Sequence, residues 1–276
     1  MGKLYVVGTP IGNLGDMTYR AVETLKAVDL ICAEDTRVTA KLLNHFEIKK
    51  PLLSYHEHNA GKVGPDIAER IAAGENCAIV TDAGMPCISD PGEGLVRLCA
   101  ERGITVEVVP GPTAAMSAIA ISGLPTGRFQ FEGFLPVEKK ERLERLMLVK
   151  DSTATLIFYE APHKLVTTLR DMLEFLGDRS VSLCRELTKL HEEVRRTTLS
   201  EALAFYTDNP PKGEFVLVVG GSEGRTDAET IEEAFAQVEE LVAKGVKGVD
   251  ACRRIAKLTG FPKGKLYDML NDKNTR

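Results

Sequence analysis

Residues suited to binding chemistry gather in a few short loops. The most crowded is 80–92, VTDAGMPCISDPG, with two Gly, two Pro, two Asp, a Thr and a Ser between an apolar run and a helical pattern. Such a loop exposes backbone N–H and C=O groups and has Gly where a side chain would bar close approach. Two others share its character, GTPIGNLGD at 8–16 and PGPTAA at 110–115. If the strands before them are parallel, all three open on one sheet edge, where α/β proteins bind small ligands. Taken singly, each also reads as an ordinary strand-to-helix connection. Gly8, Gly12 and Gly15 lack dinucleotide-fingerprint spacing, the second strand ends in the pair Glu34-Asp35, and no G-K-[ST] follows for a P-loop. What remains suits a polar small molecule gripped largely by backbone.

Further loops carry acid–base candidates: AEDTR (Glu34, Asp35, Arg37), YHEHN (His56, His58), YEAPH (Glu160) and RELTK (Arg185, Glu186, Lys189). Each residue also has a plain reading as a cap, salt-bridge partner or phosphate contact. Asp35-Thr36, for instance, would cap the helix after the second strand. No metal-ligating cluster stands out. Cys32, Cys77, Cys87, Cys99, Cys184 and Cys252 are scattered without a CxxC pair, which points to buried free thiols in a reducing cytoplasm.

The positioning elements follow from hydrophobic period. Strands are expected at 4–7, 29–33, 52–54, 77–80 and 106–109, alternating with helices at 17–28, 39–46, 65–73, 94–101 and a small-residue helix ending at 122. That alternation makes 1–122 a mostly parallel α/β domain. SGLPTG at 122–127 reads as a linker. A second α/β domain, 128–222, has strands at 129–134, 154–159, 181–184 and 215–220, with helices at 139–149 and 165–176. The rest, 225–276, reads as a helical appendage: helices at 229–243 and 251–259, a break at Gly260, and a last helix from Pro262 to about 270. Val249, Cys252, Ile255, Ala256, Leu258, Phe261, Leu266, Met269 and Leu270 would form its core.

Net charge is −5 over 276 residues, which excludes a uniformly basic coat for nucleic acid and leaves room for a local patch. Charge splits sharply in the appendage: 226–243 holds six acids and no base, 244–276 nine Lys/Arg against three Asp. RRIAKLTGFPKGKLYDML reads as a helix-turn-helix presenting Arg253, Arg254, Lys263, Lys265 and Tyr267 to a phosphate backbone, with a basic solvated cap as the alternative. No apolar run approaches the roughly 20 residues needed to span a bilayer.

VGTPIGNLGDMTYRAVETL, AEDTR, DAGMPCISDPG, PGPTAAMSAIAISGLP, FEGFLP, FYEAPHKL and RELTKLHEE occur in this order across about 4–222. Together they resemble the tetrapyrrole methylase-like (class III) S-adenosylmethionine (SAM) methyltransferases. Within these they resemble the branch that methylates the ribose 2′-hydroxyl of a cytidine in the decoding region of small-subunit (16S) rRNA. The resemblance implies two α/β domains with SAM in the cleft between them, a homodimer, and rRNA within the small ribosomal subunit as partner. Carried over by motif, Pro10, Ala83, Gly84, Met85, Ile88, Ser89, Thr113 and Ala114 match cofactor-contacting positions. Tyr159, Leu187 and Glu214 match the second domain's side of the pocket. A methionine carboxylate wants N–H donors and a hydroxyl such as Thr113 or Ser89.

Tetrapyrrole-biosynthetic relatives have Gly-Gly-Asp-Pro where this chain has Ala83-Gly84-Met85-Pro86, and G-x-G-x-G-D where it has GTPIGNLGD. Both departures favour the RNA branch. A ribose hydroxyl needs its proton removed, so a general base is expected. Asp35 and Glu160 are placed near the acceptor, with Arg37, Arg185 and Lys189 on phosphate. The alternatives are a methyltransferase for a tetrapyrrole or modified amino acid on the same fold, and a catalytically silent ribosome-binding protein.

Overall fold

A computed structural model describes residues 1–222 and 230–274 of the chain. The first domain alternates strand and helix: β1 (Lys3–Val7), α1 (Tyr19–Ala27), β2 (Leu30–Ala33), α2 (Thr36–His45), β3 (Leu52–Ser54), α3 (Ala60–Ala72), β4 (Cys77–Val80), α4 (Glu93–Glu101), β5 (Thr105–Val109) and α5 (Ala114–Ser122). The strands pair in parallel in the order β3-β2-β4-β1-β5. Every residue of β2 and β4 is buried, because helices cover both faces of a parallel sheet. Leu4, Leu30, Cys32, Cys77 and Ile79 face Ile67 and Ile71 of α3 and Leu95 and Cys99 of α4. The alternating residues Val7, Ile31, Ala78 and Val80 face Ala21 and Leu25 of α1 and Leu43 of α2.

In the first domain α2 and α3 start well before the expected positions. The Asp35 carboxylate accepts the Arg37 N–H at 2.8 Å, so α2 begins at Thr36 and not at 39. α3 begins at Ala60 and runs through Pro65. A proline displaces the carbonyl four residues back, here that of exposed Gly61, which water can satisfy.

The second sheet is mixed: β6 (Phe129–Phe134), β7 (Thr155–Glu160), β8 (Ser180–Arg185), β9 (Glu193–Thr198) and β10 (Phe215–Val219), in the order β6-β7-β10-β8-β9. Only β6 and β7 pair in parallel; the other pairings are antiparallel. α6 (Lys139–Val149), α7 (Leu165–Leu176) and α8 (Leu199–Asp208) cover one face, over Leu156, Phe158, Leu183 and Leu217. β9 and α8 have no counterpart in the elements expected from the sequence. β9 is EVRRTT, an edge strand whose charges hide its period and guard the edge.

The other face of this sheet, with Ile157, Cys184, Val216 and Val218, packs against Ala115, Ala118 and Ile119 of α5. Chain order and packing therefore part company: α5 precedes the 122–127 linker but lies on the second sheet. Its sequence, AAMSAIAIS, has no polar face to keep in water, which suits a helix held between domains.

A third unit comprises α9 (Ile231–Ala243), α10 (Gly248–Thr259) and α11 (Lys263–Asn274). Thr230 and Glu233 form a capping box at its start, and Gly260 ends α10 with φ of 76°. Its own core comprises Ala234, Val238, Ala251, Cys252, Ile255, Leu266 and Leu270, with Ala256, Leu258 and Phe261 packed beside them. Val249, expected inside, is 41% exposed because it lies on the outer side of the first turn of α10. The expected start of this unit at 225 lies outside the described residues. The six cysteines are free thiols.

Candidate functional site

The carboxyl ends of β1, β4 and β5 are knitted by backbone. Thr9 and Gly84 exchange N–H···O bonds of 2.9 and 3.2 Å, and the Thr9 hydroxyl donates to the Thr81 carbonyl at 3.1 Å. A Cβ on Gly8 would come within 2.7 Å of the Gly111 Cα, so the β1 and β5 loops touch main chain to main chain. The 80–92 loop winds through left-handed backbone at Gly84, Cys87, Ser89 and Gly92. A Cys87 N–H to Pro91 carbonyl bond of 3.3 Å closes it. These contacts explain the glycines: the loops form one rigid rim.

Between that rim and the second sheet lies a cavity of about 850 Å³, a size that encloses a cofactor-sized ligand. Ala83, Gly84, Met85, Ile88, Ser89, Thr113 and Ala114 line it from the first half of the chain. Tyr159, Glu160, Leu187 and Glu214 line it from the second. Pro10 does not line it; this residue is buried behind the rim, and Ile11 takes the wall position.

α5 meets the cavity with its first turn. Thr113 caps the helix by accepting the Met116 N–H at 3.1 Å. The Tyr159 phenol accepts the Ala115 N–H at 3.2 Å, and burial raises its pKa. Tyr159 stands edge-on to Phe131 and Phe134, with ring centroids 5.0 and 5.4 Å away. Strict strand alternation would send Phe131 and Phe134 to opposite faces. A bulge at Gly133, with φ of 65°, returns Phe134 to the cavity side.

The polar residues divide by what holds them. Asp35 does not line the cavity; its carboxylate caps α2 and takes a paired contact from the Arg37 guanidinium at 3.0 and 2.6 Å. Those hydrogen bonds hold the Asp35 carboxyl far below the usual range, which makes it a poor proton acceptor. Glu160 is buried in the wall, one oxygen accepting the Ala161 N–H at 2.9 Å and the other the Thr168 hydroxyl at 2.5 Å. Arg37 is 87% exposed on the rim. Arg185 donates to the Lys212 carbonyl at 2.7 Å and pairs with Glu193. Lys189 pairs with Glu186 at 3.0 Å and Glu214 at 2.8 Å. Arg185 and Lys189 are thus engaged in holding the second domain's turns. Arg253, Arg254, Lys263 and Lys265 are exposed on α10 and α11, Arg253 paired with Asp250.

Three carboxylates, Glu34, Asp82 and Asp90, line the cavity at the ends of β2 and β4. Glu34 accepts the Thr81 hydroxyl at 2.5 Å, and Asp82 accepts the Asp35 N–H at 3.2 Å. Burial raises Asp82, and burial followed by the Glu34 charge pushes Asp90 up to about 6. Asp90, Phe131, Phe134 and Phe215 were not singled out from sequence. An Asp-Pro step in a strand-end loop is the available signal for Asp90; Phe134 has none, because the bulge at Gly133 decides its direction.

The wall set is mixed in a useful way. Apolar and aromatic side chains can sandwich a flat heterocycle, a helix start offers N–H groups to an anion, and carboxylates face cationic or hydroxyl groups.

Comparison with known proteins agrees with this architecture. A family model described as Tetrapyrrole (Corrin/Porphyrin) Methylases matches residues 3–203. A protein of Synechocystis sp. named ribosomal RNA small subunit methyltransferase I is 49% identical over 98% of this chain and 97% of its own length. One of the same name from Bacillus subtilis is 46% identical over 97% of this chain and 94% of its own. Among solved structures, the uroporphyrin-III-C-methyltransferase of Thermus thermophilus covers 79% of this chain and 94% of its own with a TM-score of 0.55 at 21% identity. The methyltransferase CobJ covers 83% of this chain and 98% of its own with a TM-score of 0.61 at 19% identity. At those identities the structures establish the fold alone. With nearly full-length relatives at close to half identity and a family model across both α/β domains, this chain belongs to the tetrapyrrole methylase family, in its ribosomal RNA small subunit methyltransferase I group.

Proposed function

We propose that this protein transfers a methyl group from SAM to the ribose 2′-hydroxyl of a cytidine in the decoding region of small-subunit rRNA. The observation that carries the reading is the cavity itself, whose wall chemistry fits each part of SAM. Met85, Ile88, Phe131 and Phe134 offer apolar faces to adenine, and the first turn of α5 with Thr113 offers donors to the methionine carboxylate. Glu34, Asp82 and Asp90 offer negative charge to a sulfonium and an ammonium group. Bound there, the cofactor supplies an electrophilic methyl. The chain's residues then align donor and acceptor and exclude water, an effect worth up to about 7–11 kcal/mol in well-oriented reactions.

The RNA reading draws support from the relatives' names and from the third unit. Arg254, Lys257, Lys263 and Lys265 have no carboxylate partner among the described residues, so their charge is free for phosphate. Arg37, paired with Asp35 but 87% exposed, is a further phosphate contact in this reading, whereas the more covered Arg185 and Lys189 act by holding the second domain's turns. A homodimer and a cytoplasmic location complete the proposal, both drawn from the family resemblance and from the ribosomal RNA named in the relatives.

The test has two arms. Calorimetry with SAM should give one site per chain, and absence of binding would remove every methyltransferase reading. Small subunits from a strain lacking the protein should gain one 2′-O-methylcytidine by mass spectrometry when incubated with protein and SAM. Methylation on a base, or none, would remove the ribose assignment.

A further inference from the structure

Methylating a hydroxyl releases one proton, and a side chain placed to take it speeds the step by about 10²–10⁴-fold. The carboxylates on the cavity wall differ in their freedom to do so. Glu34 already accepts the Thr81 hydroxyl at 2.5 Å and faces the Asp82 N–H at 3.5 Å. Asp82 accepts the Asp35 N–H at 3.2 Å, both oxygens of Glu160 are engaged, and Glu214 is paired with the Lys189 ammonium at 2.8 Å. Asp90 shares the Thr81 hydroxyl with Glu34, and that hydroxyl has one proton to give. Asp90 is also firmly placed. It sits between Ser89, with φ of 62°, and the ring of Pro91, in a loop closed by the Cys87 N–H to Pro91 carbonyl bond. Ser89 lies under Gly133 of β6, with its hydroxyl 3.0 Å from where a Cβ would stand, so the loop abuts the second domain.

We propose that Asp90 is the general base of the methyl transfer, a role that rests on the reading of the cavity given above. The Asp90 carboxylate takes the acceptor's O–H proton, and the freed electron pair forms the oxygen–methyl bond. The methyl–sulfur bond breaks with its pair staying on sulfur, so the sulfonium leaves as a neutral thioether. Asp90 then returns the proton to water. The titratable groups facing it are Glu34 from the end of β2, Asp82 and Cys87 from its own loop and Tyr159 from β7, with Glu93 of α4 beyond Cys87. All are acids or weak acids, so none holds Asp90 permanently ionised, and its rise to about 6 leaves it a free and competent base at neutral pH.

The test compares wild type, D90N and D90E in single-turnover methylation of small-subunit rRNA across pH, with calorimetry for SAM and carbon NMR of aspartate-labelled free protein. The wild-type rate should climb about tenfold per pH unit and level off above about 6. D90N should bind SAM within about threefold of wild type and lose about 10²–10⁴-fold in rate together with that limb, while D90E retains the limb. A carboxyl titrating near 6 should be present in wild type and absent from D90N. The proposal falls if D90N keeps wild-type rate or the same limb, or if its deficit lies wholly in SAM affinity. It falls too if wild type has no carboxyl titrating near 6, a result that needs no variant to fold. Wild type that binds SAM and methylates no RNA is a separate outcome, which removes the functional reading and the base assignment with it.

Discussion

Asp90→Asn should make the free protein more stable near pH 8 and leave it nearly unchanged near pH 4, whatever the substrate. Burial first, and the Glu34 carboxylate second, raise Asp90 from 3.8 to about 6 in the folded chain. The native state then binds this proton more tightly than the unfolded state. Stability from Asp90 is present in full below about pH 4, falls as pH rises through about 6, and is flat above that. A span of about 2 pH units at 1.36 kcal/mol each sets a ceiling of about 3 kcal/mol. Asp90 keeps partial contact with water, and screening lowers the expected value to about 1–2 kcal/mol. Asparagine never ionises, so it avoids this cost and the variant should gain that amount at the alkaline end. Titrating groups other than Glu34 and Asp82, which couple to Asp90, are common to both proteins and cancel in the difference. Urea unfolding followed by circular dichroism at several pH values reads the gap directly. Curves that stay parallel from about pH 4 to 8, or a gap that widens toward acid, would refute the reasoning.

Gly84→Val should weaken SAM binding by about 100-fold or more while the chain stays folded, because φ is 89° and Ile11 stands 3.4 Å from the new Cβ. Normal calorimetry on the folded variant would place the cofactor elsewhere. Arg142→Met should cost about 3–5 kcal/mol in urea unfolding, since it leaves the buried carboxylate of Asp171, now 2.7 Å from the guanidinium, without its partner. A loss below about 1 kcal/mol would mean that water reaches Asp171. Truncation after Gly224 should leave SAM affinity nearly unchanged and reduce rRNA methylation most at low salt, with a shallower salt dependence than the full chain because fewer phosphate contacts remain; equal rates for the two proteins across a salt series would end the RNA role of α9–α11. Sedimentation at micromolar concentration should give a dimer, and a single species of 30.1 kDa would count against it.

Local patterns were enough for much of the site. Short apolar runs ending in Gly-Pro-Asp loops made the first sheet parallel and put 8–16, 80–92 and 110–115 on one edge, because strand direction and loop chemistry are written in neighbouring residues. Motif resemblance then named Ala83, Gly84, Met85, Ile88, Ser89, Thr113, Ala114, Tyr159, Leu187 and Glu214, all of which lie on the cavity wall. Pro10 is buried next to Ile11, which lines the cavity.

Tertiary structure alone decided the rest. α5 reads as the last helix of the first domain, but where an all-apolar helix packs depends on which sheet faces it, and here that is the second. β9 was masked by charges that an edge strand can point at solvent and at Phe205, over whose ring Arg195 lies at 3.7 Å. The bulge at Gly133 that aims Phe134 at the cavity is a register event between two strands, invisible in either one. Acid–base character was the least legible feature. Asp35 and Asp90 are the same residue type in similar strand-end loops, yet a guanidinium pins one as an anion while burial beside Glu34 lifts the other. A side chain's proton affinity is set by the charges and solvent around it: for Asp35 these come from Arg37, two residues on, but for Asp90 from burial and from Glu34 at the end of another strand, which only folding brings near.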